Sequence, residues 1–274
     1  VTGGMAPNRE GGVFPGAAGL FTEKDIANHR MVTDRVHDGG GKIAMQILHA
    51  GRYAYGPECV SASAVKSPIS PFAPKELDED GIEKQIADIA EAARRAQEAG
   101  YDGVEVMGSE GYFINQFLVT HVNKRTDRWG GSYENRMRLP IEVVKRVRAA
   151  VGPEFIVGVR YVGDEMMTGG LSREDGLEIS RRLKESGLVD FLNVIRGHIE
   201  TDAPLTDVIP VQGMRSAPHL DFAGEIRAAT AMPTFQASPK GALAFSNSTP
   251  TSSRITVRPR QTLTEKAFST PAVD

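Results

Sequence analysis

Two periods of apolar and polar positions alternate along this chain. Across 79–99 the apolar residues Ile82, Ile86, Ile89, Ala93 and Ala96 recur at helical spacing and mark one buried face. Thr22 opens another helix that reaches about residue 37, with Glu23 and Asp25 in its first turn, where acids favour the helix dipole. The three glycines at 39–41 end it. Further helices are predicted over about 133–151, from a Ser172 cap to about 186, and over about 221–229. Between them lie short apolar runs of strand length at 42–48, 103–107, 155–160, 191–195 and 234–236, and residues 1–4 read as the tail of another. Strand and helix repeated at this length predict a parallel sheet. The right-handed crossover rule then leaves a barrel or a doubly wound sheet.

Two stretches break the pattern. A Pro- and Ser-rich run over about 54–74 is too long for a simple connector and is a candidate binding loop. Residues 237–274 are dense in Ser, Thr and Pro, carry Arg254, Arg258 and Arg260, and keep neither period. They are predicted to be a disordered tail behind a domain of residues 1–236.

Composition narrows the function classes. The chain has 274 residues, a length that suits one α/β barrel. Its 32 Lys and Arg against 35 Asp and Glu give a net charge of −3, so no basic stripe offers itself to nucleic acid. No apolar run approaches the roughly 20 residues of a membrane span, and no signal-peptide pattern is present. A cytoplasmic protein with a small-molecule substrate is therefore expected. Cys59 is the one cysteine, which rules out an intrachain disulfide and a cysteine-held zinc or iron–sulfur cluster within these residues.

The densest candidate chemistry lies in 102–138. There an apolar strand breaks at Gly108 and presents Glu110 and Tyr112 between glycines. Barrel enzymes place catalytic groups at strand ends, so Tyr112 is a candidate proton donor and Glu110 a neighbouring acid that relays or replaces its proton. Gln46 and Arg160 are polar residues in apolar strands and each needs a partner. A carboxylate such as Asp164 or Glu165 would satisfy Arg160. Alternatively, a planar heterocycle would satisfy both, with Arg160 beside negative charge in a reduced flavin. His49 and His198 follow apolar strands and are candidate acid–base groups.

The segments QILHAGR (46–52), DGVEVMGSEGYFINQFL (102–118) and NKRTDRWGGSYENRMR (123–138) resemble the Old Yellow Enzyme family of FMN oxidoreductases, nearest to its 2,4-dienoyl-CoA reductase and trimethylamine dehydrogenase branch. The resemblance covers about 1–236. It implies an α/β fold of the (β/α)8 TIM-barrel type, FMN as cofactor and NAD(P)H as reductant. By the same resemblance Gln46 binds the flavin pyrimidine, Arg160 lies near flavin N1, and Gly4 offers a backbone contact. Tyr112 and Glu110 match the proton-donating tyrosine and acid of the dienoyl-CoA reductases, and His198 matches their second catalytic residue. Met107 and Glu110 stand where simple ene-reductases hold a carbonyl-binding pair, which disfavours enone reduction. Reduction of a 2,4-dienoyl-CoA thioester is thus the first expectation. The stretches VGVRYVGDE and GHIETDAPLTD look closer to N-methylproline-type demethylases, making oxidative N-demethylation the second. Relative to the family, the first strand and the last strands are missing and 237–274 match nothing. A third expectation is therefore an incomplete barrel, a non-catalytic product of a truncated or frameshifted gene.

Overall fold

Six parallel strands carry the fold, and their order in space follows their order in the chain. The computed structural model describes residues 1–211, 214 and 217–236. The tail expected at 237–274 lies outside the described residues. In chain order the elements are β1 (Gly4–Met5), α1 (Glu23–Asp38), β2 (Ala44–Ile47), a 3-10 turn (Gly51–Tyr53), β3 (Val60–Ser61), β4 (Lys75–Glu76) and α2 (Glu79–Glu98). They continue as β5 (Gly103–Gly108), α3 (Phe113–Leu118), α4 (Tyr133–Val151), β6 (Ile156–Asp164), α5 (Arg173–Ser186), β7 (Phe191–Arg196), α6 (Asp202–Val208), α7 (Leu220–Thr230) and β8 (Thr234–Gln236).

The main sheet runs β1-β2-β5-β6-β7-β8 with every neighbouring pair parallel. A doubly wound sheet reverses its strand order at a switch point. No reversal occurs among the described residues, so the chain winds in one direction, as a barrel does. Six strands are fewer than the eight that close a (β/α)8 barrel, so among the described residues the barrel is incomplete.

Local chemistry sets the element ends. Thr22 and Ser172 each form a capping box, trading hydrogen bonds with Asp25 and Asp175. Asp78 and Ser132 cap α2 and α4 by accepting from Gly81 N–H and Asn135 N–H. The face of α2 bearing Ile82, Ile86, Ile89, Ala93 and Ala96 is buried, and each isoleucine so buried contributes roughly 1.5–3 kcal/mol. Gly158 is fixed by packing: a Cβ there would lie 2.0 Å from the Phe191 ring.

Three elements depart from the sequence expectation. β6 runs on to Asp164, with its register shifting between Val162 and Asp164. Helix α3 is buried at all six positions, so it shows no polar face from which a helical period could be read. Helix α6 spans a single pair of turns in the GHIETDAPLTD loop. The stretch expected to be a binding loop contains β3, which pairs in parallel with β4 directly after it. No helix among the described residues is long and apolar enough to cross a membrane.

Candidate active site

Because the strands are parallel, the segments after β2, β5, β6 and β7 gather at one end of the sheet. The turn after β5 holds two consecutive left-handed residues. Glu110 (φ 53) and Gly111 (φ 86) are both left-handed, and Tyr112 N–H closes the turn on Ser109 O at 3.0 Å. A left-handed non-glycine residue is uncommon and concentrates at functional sites. Buried Gln116 on α3 holds the turn in place. Its Nε2 donates to Gly111 O at 2.7 Å, and its Oε1 accepts from Arg52 N–H and Ser61 Oγ.

The turn fixes Glu110 against Arg160, whose Nη2 donates to Glu110 Oε1 at 2.5 Å, while Ser109 Oγ donates to Oε2 at 2.7 Å. Arg160 therefore takes a carboxylate partner, but it is Glu110. Asp164 pairs with Arg196 instead. Tyr112 is half-buried, and burial, with Glu110 adding and Arg160 opposing, pushes its hydroxyl up to about 12. The phenol is thus held protonated beside a paired acid.

Gln46, Glu105 and Asn193 form a polar row on the strands. Gln46 Nε2 and Asn193 Nδ2 each donate to the buried Glu105 carboxylate at 2.8 Å. Arg160 and Asn193 are register partners. Arg160 Nε and Asn193 Oδ1 are buried without a hydrogen-bond partner among the described residues. A donor and an acceptor are thus presented side by side. Gly4 pairs in register with Gln46 on the edge strand, and a Cβ there would come within 2.6 Å of Leu48 Cβ. The three residues expected to hold the cofactor, Gly4, Gln46 and Arg160, lie on one sheet.

A second charged group stands opposite. The buried Arg52 ion-pairs with Glu200 Oε1, which also accepts from Tyr53 Oη at 2.8 Å and lies 3.7 Å from His121 Nε2. Burial would raise the Glu200 carboxyl, but His121, Arg52 and Tyr53 outweigh it and hold it down at about 2. The Tyr53 ring meets Tyr112 edge-on with centroids 5.6 Å apart. His198 is buried in the same loop as Glu200, and its Nδ1 accepts from Glu200 N–H at 3.1 Å. Burial lowers its pKa, and Glu200 opposes that. The expected trio is therefore split: Glu110 and Tyr112 share the β5 turn, and His198 belongs to the Glu200 loop. Arg52, Tyr53 and Glu200 were not foreseen, although a buried arginine after an apolar strand signals a charged partner.

His49 has a different role from the one its strand-end position suggested. Its Nδ1 accepts from Gly51 N–H, its Nε2 faces Gln85 Oε1 at 2.9 Å, and burial lowers it to about 4. It is a neutral structural histidine. Glu165 is fully buried, accepts from Leu171 N–H at 2.7 Å, and is pushed up to about 7, chiefly by burial. The Leu171 N–H, His121 and the buried Asn115 side chain oppose that shift. An open cavity of about 670 Å³, between Tyr55 and the segment from Lys66 to Pro71, touches none of these groups. No cluster of three or more His, Cys, Asp or Glu among the described residues could hold a metal ion.

Comparison with known proteins adds a family. Residues 1–199 match the NADH:flavin oxidoreductase / NADH oxidase family. The chain is 49% identical over 213 residues to a probable N-methylproline demethylase of Rhizobium meliloti (strain 1021), covering 76% of this chain and 31% of that protein. It is 37% identical over 223 residues to an N,N-dimethylglycine/sarcosine dehydrogenase of Chromohalobacter salexigens, covering 80% and 32%. The chain thus spans about a third of the length of these curated relatives. Among solved structures, a 2-naphthoyl-CoA reductase in complex with 2-naphthoyl-CoA superposes with a TM-score of 0.80 at 29% identity, covering 87% of this chain and 38% of that one.

Proposed function

The chain belongs to the NADH:flavin oxidoreductase / NADH oxidase family, and on that premise we propose that it carries the substrate face of an FMN-dependent enzyme that oxidises N-methyl amino acids. The observation that carries this reading is the paired charges around two aromatic rings. Glu110 with Arg160 and Glu200 with Arg52 flank the edge-to-face rings of Tyr53 and Tyr112. An N-methyl amino acid is a small zwitterion. Its ammonium suits carboxylates and aromatic faces, and its carboxylate suits guanidinium groups. The similarity to an N-methylproline demethylase and to a dimethylglycine/sarcosine dehydrogenase supports the same substrate class.

The residues present fit FMN. Arg160 Nε and Asn193 Oδ1 offer an unused donor and acceptor, matching the alternating N–H and C=O edge of a flavin. Gln46 commits one amide hydrogen to Glu105 and keeps its remaining amide groups for the ring. Bound there, FMN supplies the hydride acceptor or donor. The protein positions the substrate: Glu110 orients the ammonium, while Tyr112, kept protonated, donates a hydrogen bond to the substrate carboxylate.

A second reading has one specific observation in its favour. A phenol held protonated at about 12 beside Glu110 is a proton donor rather than a base. That suits reduction of a 2,4-dienoyl-CoA thioester by NAD(P)H through FMN, with Tyr112 protonating the carbanion. Similarity to the naphthoyl-CoA reductase supports it. Steady-state assays of the full protein bearing this segment, with N-methylproline and with a dienoyl-CoA, separate the two. Turnover of the amine alone is expected, and turnover of the thioester alone would reverse the assignment.

A further inference from the structure

Three separate chain segments meet at one carboxylate oxygen, and a fourth is tied to them through His121. Glu200 Oε1, in the loop after β7, takes the Arg52 guanidinium and the Tyr53 hydroxyl from the turn after β2, and faces His121 from the segment after α3. His121 is tied in turn to the loop after β6, since its backbone N–H donates to Gly169 O at 3.1 Å and its Nδ1 lies 3.2 Å from the same oxygen. Arg52 and Tyr53 are each 2% exposed, and the Glu200 side chain 9%. Charges buried this far are costly unless paired, and removing one partner of such a pair is strongly destabilising.

We propose that Glu200 is a positioning residue that sets Tyr112 through Tyr53. The geometry runs in three contacts. Glu200 Oε1 fixes the Tyr53 hydroxyl at 2.8 Å. That hydroxyl also lies hard against the β5 turn, because a Cβ at Gly111 would stand 1.9 Å from Tyr53 Oη. The Tyr53 ring then meets Tyr112 edge-on, at a centroid separation of 5.6 Å. Glu200 N–H also donates to His198 Nδ1, so the same residue orients the histidine of its own loop. The ionised carboxylate thereby holds the Tyr53 phenol and, through it, Tyr112, without touching the reacting atoms, while the backbone of the same residue orients His198. The role rests on the reading of Tyr112 as a substrate-face residue, and it holds for either direction of hydride transfer.

The test uses the full FMN-loaded protein labelled with [13Cζ]tyrosine. The Tyr112 resonance is assigned by its absence in Tyr112→Phe and followed in Tyr53→Phe, Glu200→Gln and the double variant. The Tyr112 signal is expected to shift in all three. Each single change is expected to lower kcat about fivefold, on whichever of N-methylproline or dienoyl-CoA the wild type uses. KM should stay within about twofold, since ground-state binding is not what the latch supplies. The double variant should fall no further than Glu200→Gln, because both changes break one link. An unmoved Tyr112 resonance in Tyr53→Phe and Glu200→Gln, or kcat losses that multiply, would overturn the proposal. Should Glu200→Gln fail to fold, the milder Tyr53→Phe decides by the same resonance. A wild type that turns over neither substrate refutes the substrate reading alone, and the resonance still decides the latch.

Discussion

Arg160 on β6 donates through Nη2 to Glu110 Oε1 at the end of neighbouring β5, at 2.5 Å. The acid therefore offsets the guanidinium that stands nearest the expected flavin edge. Removing that negative charge leaves Arg160 free to stabilise reduced, anionic flavin. Glu110→Gln is expected to raise the FMN midpoint potential by about 30 mV, a tenfold bias for a two-electron couple. Potentiometry with a reference dye measures it. A potential that is unchanged or lower would show that the pair does not act on the flavin.

Tyr112 separates the two directions of chemistry. As the proton donor in thioester reduction, its loss in Tyr112→Phe costs roughly 100- to 10,000-fold in kcat. As a hydrogen-bond donor to an amino-acid carboxylate, its loss costs about tenfold, the worth of one good hydrogen bond. The smaller loss is expected. A collapse of the larger size would favour the reductase.

Glu165 gives the stability a pH dependence. Burial pushes its carboxyl from 4.5 up to about 7 in the folded chain. Through that window the folded state keeps a proton that the unfolded chain has lost, so stability falls as pH rises and the loss is complete above about 7. Glu165→Gln is expected to be more stable than wild type above that pH by about 1–3 kcal/mol, with no gain below the unfolded value. Urea unfolding at the two ends of the window checks the sign. Equal stability differences at both ends would mean that Glu165 does not titrate there.

Gly111 is required twice over, by its φ of 86 and by the Tyr53 hydroxyl in the space of its missing Cβ. Gly111→Ala is expected to destabilise the fold by roughly 2–4 kcal/mol, from left-handed strain and overpacking together. Thermal unfolding tests it, and an unshifted Tm would mean that the turn re-forms with Tyr53 displaced.

Much of the fold could be read from periodicity. The helical face of Ile82, Ile86 and Ile89 and the caps at Thr22 and Ser172 are local signals, and the structure has them where the pattern predicts. The choice between barrel and doubly wound sheet was not local, because it depends on strand order in space. The site divides the same way. Glu110, Tyr112, Gln46 and Arg160 stand out as polar groups in or just after apolar strands. The Arg52–Glu200 pair joins residues 148 positions apart, and no spacing rule reaches that far. His49 shared the strand-end signature of a catalytic group, yet its hydrogen bonds to Gly51 and Gln85 make it part of the scaffold.

The most direct test is anaerobic mixing of the FMN-loaded full protein with N-methylproline while flavin absorbance is followed. Bleaching of the oxidised flavin by the amine is the predicted result. A flavin that stays oxidised with the amine, but is reoxidised by dienoyl-CoA after reduction with NAD(P)H, would contradict it.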